Sequence, residues 1–281
     1  METPALTPAP PELPERPEGV DRAPRWPALF APLGFVVGIT GTLVLVGIGA
    51  AIVGVDGENP TPGFVVLSTL VQNTVFVCTA VVLAGFVSRP RPWHFGLRRT
   101  AFWRAVGWAA AGVVCFYVLA AIYTVLVPTD VEQGVTEDLG ADQGTFGLIV
   151  AGLMVMIVAP VGEELFFRGF VYRALRNRFS MMGAAVIDGL VFGVIHYNFD
   201  GADALLLLPP LVLLGFIFCI VYEKTGSLFP SIGMHAFNNA IAYAAQADGG
   251  WQVSLAVGPL VLAACVLAPR LLEQRPKAAP A

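Results

Sequence analysis

Three short patterns in the second half of the chain gather side chains able to do acid–base chemistry. The first reads Pro160-Val161-Gly162-Glu163-Glu164-Leu165-Phe166-Phe167-Arg168-Gly169. On a helix Glu164 and Arg168 share a face, with the acid N-terminal to the base, which is the favourable order for an ion pair. Glu163 is turned by about 100° from Glu164. Arg168 cannot serve both equally, so one carboxylate is expected to be held and the other left for chemistry. The plain reading is a Glu–Arg pair with a spare acid. The second pattern is Phe192 and His196, four apart, so that the ring can wall a pocket beside the imidazole. The third is His235 and Asn239, again one turn apart, with Asn238 turned about 100° away and a weaker candidate. Taken singly, His196 could be an interfacial residue and His235 an inter-helix hydrogen-bonding one.

Taken together, they are less easily dismissed. The chain has three histidines, and two of them fall in these patterns. His94 lies in an arginine-rich stretch and is expected to be solvated. If the chain turns near Arg178, a helical hairpin brings Glu163 and His196 to within about 5 Å of the same level. Asp188 lies about 80° around the helix from His196. It either supports the site or, more simply, makes a polar contact with a neighbouring helix.

The elements that must carry these groups are membrane helices. Of 281 residues 56% are hydrophobic and 13% charged, against roughly 25% charged in soluble domains. About 20 apolar residues cross the ~30 Å hydrocarbon core as a helix. Eight windows qualify: 30–55, 63–87, 105–128, 146–168, 180–198, 204–222, 227–247 and 251–269. They are continuously apolar, unlike the short alternating strands of a membrane barrel. The expectation is an all-α polytopic bundle of about eight transmembrane helices spanning residues 28–270, with the chemistry in 146–247. A continuous helix from Gly147 to Arg178 would be close to 50 Å long, so it is expected either to project into the cytoplasm or to break, with Pro160 or Gly169 as the break points.

Residues 1–27 are rich in proline and carry no apolar signal-peptide core, so they read as a disordered tail. Residues 271–281 read as a second tail. In the eight-span arrangement every Lys and Arg falls on one side, and the alternate loops carry only acids. The positive-inside rule then places both termini in the cytoplasm of a multi-pass cell-membrane protein. Cys78, Cys115, Cys219 and Cys265 each lie inside a window and read as small buried hydrophobes, with no disulfide or redox role.

Glu-Glu-x-x-x-Arg, Phe-x-x-x-His and His-x-x-x-Asn, in this order on successive membrane helices, resemble the CAAX-protease and bacteriocin-processing family, also called Abi or CPBP. That family includes the type II CAAX prenyl endopeptidases. Glu163, Glu164 and Arg168 fit the first motif, with Gly169 as its usual follower. Phe192 and His196 fit the second, and His235 and Asn239 the third. The approach Lys224-Thr225-Gly226-Ser227-Leu228-Phe229-Pro230 is similar too.

The resemblance implies peptide-bond hydrolysis within the membrane. The residues suit it: no Ser or Cys is paired with a histidine in the motifs, so a covalent nucleophile is not expected. A carboxylate in an apolar site can act as general base on water. Glu163 is expected in that role, with His196 holding the water. His235 and Asn239 would donate to the developing oxyanion, typically ~3 kcal/mol each, while Glu164 and Arg168 orient the rest. Such a hydrolase needs no cofactor. The alternative is zinc, held by Glu163, His196 and His235 with a water in the fourth position, although no His-Glu-x-x-His motif is present. Two non-enzyme readings stand beside these: a bacteriocin-immunity-type binder, and a transporter, which would call for repeats that the first half lacks. The expected partners are the lipid bilayer and a membrane-protein or peptide substrate, a lipidated one among them, with no nucleic acid.

Overall fold

A computed structural model describes residues 24–55, 59–128, 134–197 and 202–272. Most of the proline-rich tail, the C-terminal tail from 273, and the loop acids Asp56, Glu58, Asp130, Glu132 and Asp200 lie outside the described residues. Among the described residues the chain is all-helical. We label the main helices α1 (Phe30–Val53), α2 (Pro62–Gly85), α3 (Phe102–Leu126), α4 (Gly144–Arg176), α5 (Met181–Val194), α6 (Leu208–Thr225), α7 (Phe229–Gln246) and α8 (Gly250–Leu272).

Six of the eight windows form helices long and apolar enough to cross a membrane. Two do not. Helix α5 has 14 residues, about 21 Å at 1.5 Å per residue. Helix α7 has 18 and is diluted by His235, Asn238, Asn239 and Gln246. The two helices that fall short are those that serve the second and third motifs. Outward faces of the long helices are apolar: Leu43, Ile52, Val114, Val125 and Leu260 are all exposed, as side chains facing lipid should be.

Helix α4 does not break at Pro160 or Gly169; it runs for 33 residues. Instead it widens twice into π-helical turns, at Met154–Val158 and Phe167–Tyr172. In the wide register the Val155 carbonyl would take its bond from residue 160. Pro160 has no N–H to give, so one turn relaxes and the helix continues. Glu163 and Glu164 sit between the two wide stretches.

Helices α5 and α6 pack as a close hairpin through small residues. A Cβ on Gly189 would meet the Val212 carbonyl oxygen at 2.7 Å, and one on Gly215 would meet Phe192 at 3.0 Å. Close backbone approach of this kind is how membrane helices associate without a hydrophobic driving force. The interior is aromatic. Phe76, Phe166, Phe167, Phe170, Phe192 and Phe218 are fully buried, with Phe76 and Phe166 stacked at 4.5 Å.

The basic segments share one end of the bundle. Trp26, at the close of the proline-rich stretch, is buried against Phe95 and Phe170. Leu228 N–H donates to the Gly96 carbonyl, which joins the turn before α7 to the α2–α3 connection. His94, expected in solvent, is buried there. The four cysteines are free, but Cys78 and Cys115 are exposed on the outer faces of α2 and α3 rather than buried.

Candidate active site

Helix α4 supplies Glu163, Glu164 and Arg168, all buried. Arg168 Nη1 lies 3.1 Å from Glu164 Oε1, one turn away. The guanidinium is held from two further sides. Its Nη2 donates to the Gly215 carbonyl at 3.0 Å, and its Nε is 3.5 Å from Asp188 Oδ2. Asp188, fully buried on α5, also accepts from the Cys219 thiol at 3.0 Å. Rings close the rest: the guanidinium carbon stands 4.3 Å from the centroid of Phe192 and 4.9 Å from that of Phe218.

Glu163 faces the other way, as the 100° turn requires. Its Oε2 has no hydrogen-bond partner. It lies 3.9 Å from His196 Nε2 and 4.0 Å from His235 Nε2. Both imidazoles are fixed through their other nitrogen. His196 Nδ1 is 2.7 Å from the Phe192 carbonyl; a carbonyl only accepts, so the proton sits on Nδ1. His235 Nδ1 is 3.1 Å from Glu164 Oε1. In the neutral tautomers each ring therefore turns an Nε2 lone pair toward Glu163.

His196 lies just past the end of α5, in a turn rather than inside the helix. Its ring still packs on Phe192, with centroids 4.7 Å apart. His235 is buried on α7, stacked on Phe218 at 4.8 Å. Asn239, one turn on, donates from Nδ2 to the Val155 carbonyl at 2.9 Å. That is the carbonyl which Pro160 leaves without its π-register partner. Asn238 points elsewhere and accepts from the Tyr117 hydroxyl at 3.1 Å.

Glu163, Glu164, Arg168, His196 and His235 are thus gathered around one carboxylate, and Asn239 is anchored beside them. Nothing in the residue pattern marked Phe218 or the Gly215 carbonyl. With Cys219 they fall at i, i+3 and i+4 on α6, a spacing invisible in a uniformly apolar window. Asp188 turns out to pair with Arg168. Zinc bonds of 2.0–2.1 Å give a tetrahedron edge of about 3.4 Å, shorter than the two Glu163–histidine separations. Among the described residues no group of three or more metal-ligating side chains is gathered to hold an ion.

The site is thus a pair of buried carboxylates, one of them facing two histidines, inside a bundle with helices long and apolar enough to cross a membrane. Residues 145–241 match the family model described as type II CAAX prenyl endopeptidase Rce1-like. The chain is 29% identical over 131 residues to the UPF0177 protein YxdF of Lactococcus lactis, covering 45% of this chain and 70% of that one. It is 25% identical over 178 residues to YdiL of Bacillus subtilis, whose name makes it a candidate membrane peptidase, covering 61% and 68%. An Escherichia coli protein of 24.3 kDa is 28% identical over 132 residues, covering 46% and 59%. No solved structure matches the chain. Family and relatives support a multi-pass membrane protein that acts as a protease on a peptide or protein.

Proposed function

We propose that the chain is an intramembrane endopeptidase in which Glu163 activates water, without a covalent intermediate. One observation carries this: Glu163 Oε2 is buried, unpartnered and equidistant from two Nε2 atoms whose rings are each tied through Nδ1. Separations of 3.9 and 4.0 Å are too long for direct hydrogen bonds and leave the space that a bridging water would take. The water donates one proton to Glu163 and its second to an Nε2, so its oxygen is aimed at the scissile carbonyl. Glu163 then delivers its proton to the leaving amine nitrogen.

The bond from Nδ1 to Glu164 orients the His235 ring, and an imidazolium there, protonated on both nitrogens before water attacks, turns an Nε2–H to the oxyanion. That makes His235 a donor to the oxyanion, much as a buried aspartate supports a catalytic histidine. The second N–H of Asn239 is free for the same purpose. Arg168, held by Glu164, Asp188 and the Gly215 carbonyl, fixes this arrangement without touching substrate. A zinc ion at Glu163, His196 and His235 would instead polarise the carbonyl and acidify water; the three groups would have to close in by about half an ångström, and no step above passes through it.

The substrate is a membrane protein or peptide, and the site is the plasma membrane with both termini cytoplasmic. The sharing of one end by the basic segments supports that orientation. The test is a comparison of peptide termini in membranes of cells expressing the native chain or Glu163→Gln, with and without a chelator. Termini found only with the native chain, and unaffected by chelation, bear the proposal out. Identical termini with both proteins folded and abundant would favour a non-catalytic binder.

A further inference from the structure

Away from the catalytic centre, at the basic end of the bundle, two arginines are buried without a counter-ion among the described residues. Arg98 and Arg173 are 6% and 2% exposed. Arg98 follows the short turn Pro92–Phe95 that joins α2 to α3, and its Nε donates to the Gly226 carbonyl. Arg173 stands near the end of α4. Its Nη1 donates to the His94 carbonyl, and its guanidinium carbon lies 5.1 Å from the centroid of Trp26. These contacts use neutral acceptors only. Arg98 Nη1 and Nη2, and Arg173 Nε and Nη2, are buried with no hydrogen-bond partner. Trp26 Nε1 and His94 Nδ1 are left without one too.

Every one of these except His94 Nδ1 is an obligate donor. The acid at this end among the described residues, Glu223, is already committed. It takes Arg176 at 2.7 Å and the Tyr172 hydroxyl at 2.8 Å. Arginine cannot shed its charge, and buried charges in folded proteins are normally paired. His94 avoids adding a third charge: burial first, then Arg173 and Arg91, push its pKa down to about 4. Burial likewise draws Arg98 down to about 10, still charged at neutral pH. The fold therefore holds two fixed positive charges and several unmet N–H groups around one loop. The loop is also clamped, since the Ser227 hydroxyl donates to the Arg98 carbonyl at 2.6 Å.

We propose that the free guanidinium N–H groups of Arg98 and Arg173 form an anion site at the α2–α3 loop that takes a phosphate group. A phosphate offers the tetrahedral set of acceptors that arginine forks match. The loop joins two lipid-facing spans, at the level where phospholipid headgroups lie, so the phosphate is either a headgroup's or free in solution. The site is independent of proteolysis. It touches the catalytic helix one residue beyond Arg168, where a Cβ on Gly169 would lie 3.0 Å from the Phe95 carbonyl oxygen.

The test is thermal unfolding of the purified full chain, followed by tryptophan fluorescence. One arm adds inorganic phosphate in detergent against sodium chloride at equal ionic strength. The other compares nanodiscs of phosphatidylglycerol with nanodiscs of phosphatidylcholine. A tenfold excess over Kd should raise the midpoint by roughly 3 °C or more. A rise with phosphate assigns the free anion, and a rise with phosphatidylglycerol alone assigns the headgroup. Arg98→Gln and Arg173→Gln should lose most of the rise, while Arg91→Gln, at an exposed position, should keep it. No rise in either arm overturns the proposal. So does a rise lost equally in Arg91→Gln, which would mean diffuse surface charge. If the buried variants do not fold, the native chain's preference for phosphate over chloride and for one lipid over the other decides alone.

Discussion

His235 Nδ1 lies 3.1 Å from Glu164 Oε1, across 71 residues of sequence, and Arg168 Nη1 is 3.1 Å from that same oxygen. Glu164 therefore couples the third motif to the first. The two adjacent glutamates are set apart by what surrounds them: Glu164 is held through Oε1 by His235 and Arg168, its Oε2 having no hydrogen-bond partner, whereas Glu163 Oε2 is unpartnered and faces two Nε2 atoms.

Glu164→Gln should therefore cost both activity and stability. It leaves the Arg168 charge short of a partner, which in buried pairs costs about 3–5 kcal/mol. Activity should fall at least ~10²-fold through loss of the His235 tautomer. Glu163→Gln should leave the unfolding midpoint nearly unchanged. Thermal unfolding of the two variants side by side checks the contrast; equal destabilisation would contradict it.

Asp188 should matter although no motif contains it. Asp188→Asn removes one of two carboxylates from Arg168, and a loss of roughly 1–3 kcal/mol is expected. With substrate in hand, kcat should drop while KM changes little, because Asp188 acts through Arg168. Cys219→Ser, which keeps a donor to Asp188, should be close to neutral. A KM effect as large as the kcat effect would place Asp188 against substrate instead.

Much of this was legible beforehand and some was not. The helical turn angle alone separated Glu163 from Glu164, and the i, i+4 spacings put Phe192 beside His196. Helix continuity was left open, since a helix this long had either to project into the cytoplasm or to break. Pro160 reads as a break, but a π-widened turn absorbs its missing N–H and Asn239 takes the freed Val155 carbonyl. A partner that lies 84 residues away leaves no local mark. Helix α6 was opaque for a different reason: Gly215, Phe218 and Cys219 act through a carbonyl, a ring face and a thiol, none of which stands out in an apolar run. All eight windows form helices, but two of them are the shorter α5 and α7, with 14 and 18 residues, and α5 still exposes Met182, Val186, Leu190 and Val194 on one face.

The Val155–Asn239 bond gives a two-variant test. Asn239→Ala should destabilise by about 1 kcal/mol, the usual worth of one hydrogen bond with a carbonyl left unmet. Pro160→Ala restores an N–H beside that carbonyl, so the double variant should recover part of the loss. Activity should not return, because the Asn239 amide is still missing. Additive losses in denaturation of the double variant would show the two sites to be independent.

Gly162 is where α2 meets the catalytic helix. A Cβ there would fall 2.2 Å from Asn73 Oδ1 and 2.8 Å from Asn73 Cβ. Gly162→Ala should force the helices apart beside Glu163 and cost about 1–3 kcal/mol. Adding Asn73→Gly, which removes the obstructing side chain, should restore most of it. Thermal midpoints of the three variants decide this.

His94 predicts a pH dependence. Its pKa falls on folding from the ordinary 6.5 to about 4, through burial first and then the charges of Arg173 and Arg91, so the folded state favours the neutral ring. Its contribution is complete above pH 6.5 and is lost as pH falls from there toward about 4. His94→Gln should flatten the unfolding midpoint between pH 7 and 5. An unchanged slope would mean that other groups set it.

The most direct test of the central claim is the hydrolysis rate of a substrate peptide, found from its new terminus, by the native chain and by Glu163→Gln in the same vesicles. Removing a general base should slow the reaction by about 10²–10⁴-fold while the variant keeps its native unfolding midpoint. A folded Glu163→Gln that cleaves at the native rate would contradict the account.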